Sequence, residues 1–130
     1  MSVANAWEAL SEFKKIVNSS KSIQAEFQAW GDKVIQFLIK GGENCSIVFR
    51  EGRMILEKGE KENPDLTFEA LDGNLVKLIT GQTDYTSLDI LGSITFKGNE
   101  SDKNKFVATI GLFVDALLGE SDEFEEFDDL

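Results

Sequence analysis

The 130-residue chain has no histidine, one proline (Pro64) and one cysteine (Cys45). Lacking imidazole, it is denied histidine acid–base catalysis, histidine metal ligation and any serine or cysteine triad. Cys45 has no partner for an internal disulfide, which fits a reducing, cytoplasmic setting. It falls within an alternating apolar segment and reads as a buried structural thiol, not a nucleophile. No run approaches the ~20 apolar residues that span a bilayer. The opening M-S-V-A-N-A-W-E lacks the basic segment and apolar core of a secretory signal, so none is expected. Neither Gly41-Gly42 nor Gly98-Asn99 belongs to a nucleotide-binding glycine pattern. The many carboxylates fall on polar faces or in the last residues, and no acid–base pair stands out. The expectation is a protein with no cofactor, no metal and no enzymatic activity.

Positive charge is also scarce. Thirteen Lys and Arg face 24 Asp and Glu, for a net charge of −11. Seven of the carboxylates lie in residues 120–130, which carry no base, so residues 1–119 hold 13 bases against 17 acids. A field of that sign repels phosphate backbones and anionic bilayers. Nucleic-acid binding is excluded on that ground, and membrane contact is at most transient.

What the chain does have is apolar residues in periodic order: a 42% hydrophobic fraction with ten Phe, enough for a globular core. Val3, Trp7, Leu10, Phe13 and Val17 predict a helix over 3–17. Asn18-Ser19-Ser20 interrupts it, and Ile23, Phe27 and Trp30 predict a second helix ending at Gly31. One long kinked helix satisfies the same spacing. Trp7 and Trp30 are read as packing residues. Lys33 to Lys40 reads as a strand followed by a Gly41-Gly42 turn. Cys45, Ile47 and Phe49 mark a second strand, Glu51-Gly52 a turn, and Met54 with Leu56 or Ile55 a third. The charged linker Gly59 to Asn63 then leads to Pro64. These strands are expected to form an antiparallel meander. Residues 101–118 form the strongest predicted helix, with Phe106, Ile110, Phe113, Val114 and Leu117 on one face and Gly119 as its stop. A single domain over 1–119 is followed by an acidic tail, 120–130. Phe124, Phe127 and Leu130 recur in that tail at three-residue intervals. It reads either as a solvated acidic run or as a short amphipathic helix that covers an opening or docks on a partner.

The stretch Pro64 to Asn99 organises the rest. Leu66, Phe68 and Ala70 alternate with Thr67 and Glu69 as in a strand. Asp72 is expected to cap a helix carrying Leu75, Leu78 and Ile79, which Gly81 ends. Asp84 or Thr86 opens a shorter helix with Leu88 and Leu91. Gly92 breaks it, and Ile94 and Phe96 alternate before the Gly98-Asn99 turn.

The order and spacing of Asp65, Leu66, Phe68, Leu75, Leu78, Gly81, Asp84, Leu88, Gly92, Ile94, Phe96, Gly98 and Asn99 resemble the signature of the sterol carrier protein 2 (SCP-2) family. Two positions depart from it: Tyr85 stands where proline is common, and Ser93 where a basic residue is. The resemblance implies an α+β, SCP-2-like fold, a five-stranded, mainly antiparallel sheet covered by helices and enclosing an apolar tunnel. It implies binding or transfer of a fatty acid, acyl-CoA, sterol or isoprenoid. Carried over by position, the tunnel walls are Phe68, Leu75, Leu78, Ile79, Leu88, Leu91, Ile94, Phe96, Phe106, Ile110, Phe113 and Leu117. A carboxylate or phosphate head is expected at the mouth, with Lys77, Lys97, Lys103 and Lys105 as candidate partners. The alternative is a protein-interaction or regulatory module, including an accessory to an enzyme. It would have the same fold and a filled core, and would engage a protein partner or a second copy through the Phe124/Phe127/Leu130 tail.

Overall fold

The computed structural model describes residues 3–122, with side chains through Asp115. Asn5 opens α1 (Ala6–Ser19), its Oδ1 accepting the Glu8 N–H at 2.9 Å, while Glu8 Oε1 accepts the Ala4 N–H at 2.8 Å. These bonds satisfy amides that a helix start leaves unpaired. Ala6, Ala9, Leu10, Phe13 and Val17 form the buried stripe. Ser20 ends α1 and caps α2 (Lys21–Trp30) through its Oγ, so the predicted break is two helices rather than one kinked rod.

Three strands follow, β1 (Lys33–Lys40), β2 (Cys45–Arg50) and β3 (Arg53–Lys58), paired antiparallel. The two-residue turn at Glu51-Gly52 sets Arg50 opposite Arg53. β4 (Leu66–Leu71), α3 (Asp72–Ile79), α4 (Tyr85–Ile90), β5 (Ile94–Gly98) and α5 (Glu100–Asp122) complete the chain.

The sheet order is β3-β2-β1-β4-β5. It is not the uninterrupted meander expected from the turns. β4 pairs with β1, and this central pair is parallel, with Phe37 beside Phe68 and Ile39 beside Ala70. The other three pairs are antiparallel. The Gly59–Asp65 linker must therefore travel from one edge strand over β2 and β1 to reach the place where β4 begins. Gln36 anchors that crossing. Its buried amide donates to the carbonyls of Phe37, Cys45 and Gly59 and accepts the Lys61 N–H at 2.7 Å. A buried amide left unpaired is costly, so this saturation fixes the linker's path. Asp65 starts the parallel pair. Its carboxylate accepts the Val34 N–H and its own N–H donates to Val34 O, both at 2.8 Å.

Register places Ile35, Phe37, Ile39, Cys45, Ile47, Phe49, Leu66, Phe68, Ala70 and Ile94 on one face, and these pack with the helices in a single core. Two expectations about ends need correction. Asp72 does not cap α3, which starts without a side-chain cap; its Oδ1 accepts the Ala6 N–H at 3.0 Å, tying α3 to α1. α5 does not stop at Gly119 but continues to Asp122. The residues beyond, with Phe124, Phe127 and Leu130, lie outside the described part.

The outer edge of β3 is closed by a side chain. Asn18 on α1 accepts the Met54 N–H and donates to the Met54 carbonyl, each at 2.9 Å, as a neighbouring strand would. Asn18→Ala removes both bonds and should cost about 1–3 kcal/mol in urea unfolding, by the usual magnitude for exposing such a pair. The free edge should also make the variant associate in proportion to its concentration, measurable by sedimentation.

Candidate functional site

The site grows from the connection between α3 and α4. α3 ends in a tight reversal in which the Gln82 and Thr83 N–H groups donate to Lys77 O at 2.8 and 3.2 Å. Gly81 sits there at φ +82°, and a Cβ on it would lie 2.7 Å from Val114 Cγ1 of α5. Glycine thus does more than stop a helix at this point. It lets α5 approach the reversal. Asp84 caps α4, its Oδ1 accepting the Ser87 N–H at 2.7 Å, and that bond holds its carboxyl below the usual range. Tyr85, next in the chain, is buried and stands edge-on to Phe68 at 6.1 Å. Its phenol is pushed up, first by burial and then by the charges of Asp89 and Glu100.

Across from this turn, α5 presents Val107, Ile110, Gly111, Val114 and Asp115. Together with Leu78, Gly81, Thr83, Asp84 and Tyr85 they line a cleft of about 300 Å³ that opens to solvent. That volume is at the lower end of the range for small-molecule sites. Tyr85 joins this cleft to the aromatic core through Phe68. Phe68 lies 5.7 Å from Phe106 and 5.9 Å from Phe37, and Phe13 lies 4.8 Å from Phe113. Two further clefts are more polar: one of about 360 Å³ beside Lys40, Glu69 and Ser93, and one of about 220 Å³ beside Asn5 and Asp72. All three are open clefts; the expected tunnel is not among them.

The residues proposed from sequence as tunnel walls divide into four groups. Leu78 and Ile110 line the cleft. Phe68, Leu75, Ile79, Leu88, Ile94, Phe106 and Phe113 are buried in the core outside its lining, and Phe96 packs against that core partly buried. Leu91 is 76% exposed, beside Ile90 at 77%, because α4 is too short to turn both its ends inward. The side chain of Leu117 lies outside the described part. Sequence reasoning did not nominate Thr83, Tyr85, Val107, Gly111, Val114 or Asp115. The legible signal was Val107, Gly111 and Val114 at spacings of four and three on one helix face.

Of the candidate basic partners for an anionic head, Lys103 is held by Glu100 at 3.3 Å and lies over the rings of Tyr85 and Phe96 at 4.9 and 5.1 Å. Lys105 pairs with Glu26 at 2.7 Å. Lys77 and Lys97 are exposed. Cys45 is buried among apolar side chains, and burial, aided by the Asp72 and Glu43 charges, pushes its thiol up to about 11. Among the described residues no group of His, Cys, Asp and Glu could hold a metal ion, and no helix is long and apolar enough to cross a membrane.

The model of the SCP-2 sterol transfer family matches residues 13–110, and the chain belongs to that family. A comparison with curated proteins finds none that matches. Among solved structures, the sterol carrier protein domain 2 of Helicoverpa armigera superposes with a TM-score of 0.64 at 17% identity, over 92% of this chain and 90% of that one. A UbiJ-SCP2 ubiquinone synthesis protein gives 0.63 at 22% identity, over 88% and 93%. The stereoselective inverting sec-alkylsulfatase Pisa1 from Pseudomonas sp. gives 0.59 at 14% identity; 68% of this chain is covered, but only 14% of the sulfatase. At such identities the likeness is one of fold, and α+β with five strands under helices is what these proteins share with the chain.

Gly81→Ala should destabilise the protein by more than ~1 kcal/mol, since it combines a disfavoured backbone with a clash. In a Val114→Ala background the clash is relieved and only the backbone part should remain, so the two changes will not add in denaturant melts. Cys45 makes a second expectation. Its thiol is raised from an ordinary 9.0 to about 11 in the folded state. The stability it contributes is therefore complete below pH 9 and lost as pH rises from 9 towards 11. Replacing it by Ala should flatten that stretch of the stability profile.

Proposed function

We propose that this protein is a non-catalytic, cytoplasmic lipid carrier that shields a fatty acyl, sterol-like or isoprenoid molecule. The observation that carries this reading is the Leu78–Ile110 cleft, whose wall includes the core residues Leu78, Tyr85 and Ile110, with Tyr85 edge-on to Phe68 of the ring cluster. An apolar chain entering there passes from water into a hydrocarbon wall, gaining about 0.8 kcal/mol per methylene buried. The cleft alone is too small for a long chain. Loading requires α5 to separate from the α3–α4 reversal, with Phe68, Leu75, Leu78, Ile79, Leu88, Ile94, Phe96, Phe106, Ile110, Phe113 and Leu117 as the wall residues. Leu91, on the exposed end of α4, would meet ligand only in an opened state. Family membership and the sterol carrier fold of its structural neighbours support the same reading.

A second reading has support of its own. The described rings already contact one another at 4.8–6.3 Å, as in a filled core. Such a core suits an interaction or accessory module, and the fold shared with a ubiquinone synthesis protein is compatible with it.

Native mass spectrometry of the freshly purified protein, with extraction and identification of any bound molecule, separates the two. The carrier reading expects a copurifying apolar molecule or uptake of an added fluorescent lipid; a protein that stays ligand-free under both treatments overturns it. In a carrier, Ile110→Gln should lower loading at least tenfold, the effect of placing an unpaired amide on an apolar wall. Phe113→Gln, deeper in the core, should also cost about 3–5 kcal/mol of stability, by analogy with large aromatic truncations.

A further inference from the structure

The lining of the cleft carries no positive charge. Residues 78–96 contain Asp84 and Asp89 and no Lys or Arg; residues 106–130 contain eight carboxylates and again no base. The described lining has two charged groups, the carboxylates of Asp84 and Asp115. The Ser87 N–H keeps Asp84 ionised at neutral pH. Of the neighbouring bases, Lys103 is held by Glu100 and the Tyr85 and Phe96 rings and Lys105 by Glu26, while Lys77, next to Leu78, is exposed outside the lining. The lining also includes Thr83 and Tyr85, which bear hydroxyls, and the apolar residues Leu78, Val107, Ile110 and Val114.

Resting on the carrier reading above, we propose that this cleft selects amphiphiles with an uncharged or cationic head, such as a long-chain alcohol, ester or amine. It rejects those ending in a free carboxylate or phosphate. Asp84 and Asp115 are the specificity-determining residues. An anionic head at the mouth would face two like charges with no base in the lining, and because both carboxylates are exposed the repulsion is strongest at low salt. A hydroxyl or carbonyl head avoids that repulsion and can hydrogen-bond to Thr83 or Tyr85. The excess of acid over base elsewhere on the chain acts in the same sense at longer range. None of the four lysines expected from sequence as partners of an anionic head is in this lining.

The test is competition of dodecanol, dodecylamine and dodecanoate against a neutral fluorescent lipid on the full chain at neutral pH and low salt. Dodecanol and dodecylamine should each bind about tenfold or more tightly than dodecanoate, and the preference should shrink as salt is added. In the Asp84→Asn/Asp115→Asn double variant the alcohol-to-carboxylate ratio should fall towards one. Asparagine preserves the oxygen that caps α4, so the fold is retained, which circular dichroism will verify. Dodecanoate binding as tightly as dodecanol, or a ratio unmoved in the double variant, overturns the charge filter while leaving the carrier reading intact. If none of the three ligands competes and the neutral probe itself fails to bind, the carrier reading falls and the filter with it.

Discussion

Phe68 is the ring on which the described structure converges. It lies on β4 and contacts Phe37 of β1, Phe96 of β5, Tyr85 of α4 and Phe106 of α5, at 5.7–6.3 Å. One side chain thus joins the central parallel pair, an edge strand and two helices. That position is available because every helix packs on the same face of the sheet, while the opposite face is crossed by the Gly59–Asp65 linker. Burying an aromatic of this size contributes about 1.5–3 kcal/mol from area alone, with more from ring–ring geometry. Removing it would loosen the core and, through Tyr85, the wall of the cleft. A site whose wall residues Leu78, Tyr85 and Ile110 belong to the core cannot be enlarged without cost, and a bound chain would have to replace the contacts it displaces.

Much of this was legible in the residues, and the parts that were not share a cause. Alternation marked β2, β4 and β5, and threefold and fourfold spacing marked α1, α2 and α5, since both depend on one buried face per element, while β1 showed itself by its density of apolar residues. Asn18-Ser19-Ser20 and Gly92 were read correctly as breaks, being local chemistry. The parallel pairing of β1 with β4 was hidden. A seven-residue linker is compatible with either strand order, and the choice rests on Gln36 and Asp65 meeting backbone groups distant in sequence. The role of Asp72 was hidden likewise: its position suited a cap, but its partner is Ala6, 66 residues earlier. For the candidate site, Leu78 and Ile110 were named in advance. Tyr85, Gly111 and Asp115 were not, because a cleft wall is defined by what approaches from another element. Gly81 was recognised only as a terminator, and Val114 shows why a side chain is excluded there.

The acidic balance, first a reason to set nucleic acid aside, takes on local meaning beside the cleft. Charge in this chain is partitioned by segment. Lys33, Lys103 and Lys105 are tied to Asp102, Glu100 and Glu26. The aspartates at the cleft have no such counterparts among the described ion pairs. The same apolar walls therefore come with a mouth whose sign is set by a few residues.

The central parallel pair also bears on how the chain reaches its fold. Ile35 and Leu66 are neighbours in the sheet but 31 residues apart in sequence. The first three strands can form by local hairpins, and β4 and β5 are linked through α3 and α4. The two halves then meet along β1 and β4 only after a non-local closure, a step that is slow compared with local pairing. Until it occurs, each half carries an open edge rich in Ile, Leu and Phe, the kind of surface that pairs with the wrong chain. The speed of that one closure, more than the final stability, will govern how much newly made protein escapes aggregation.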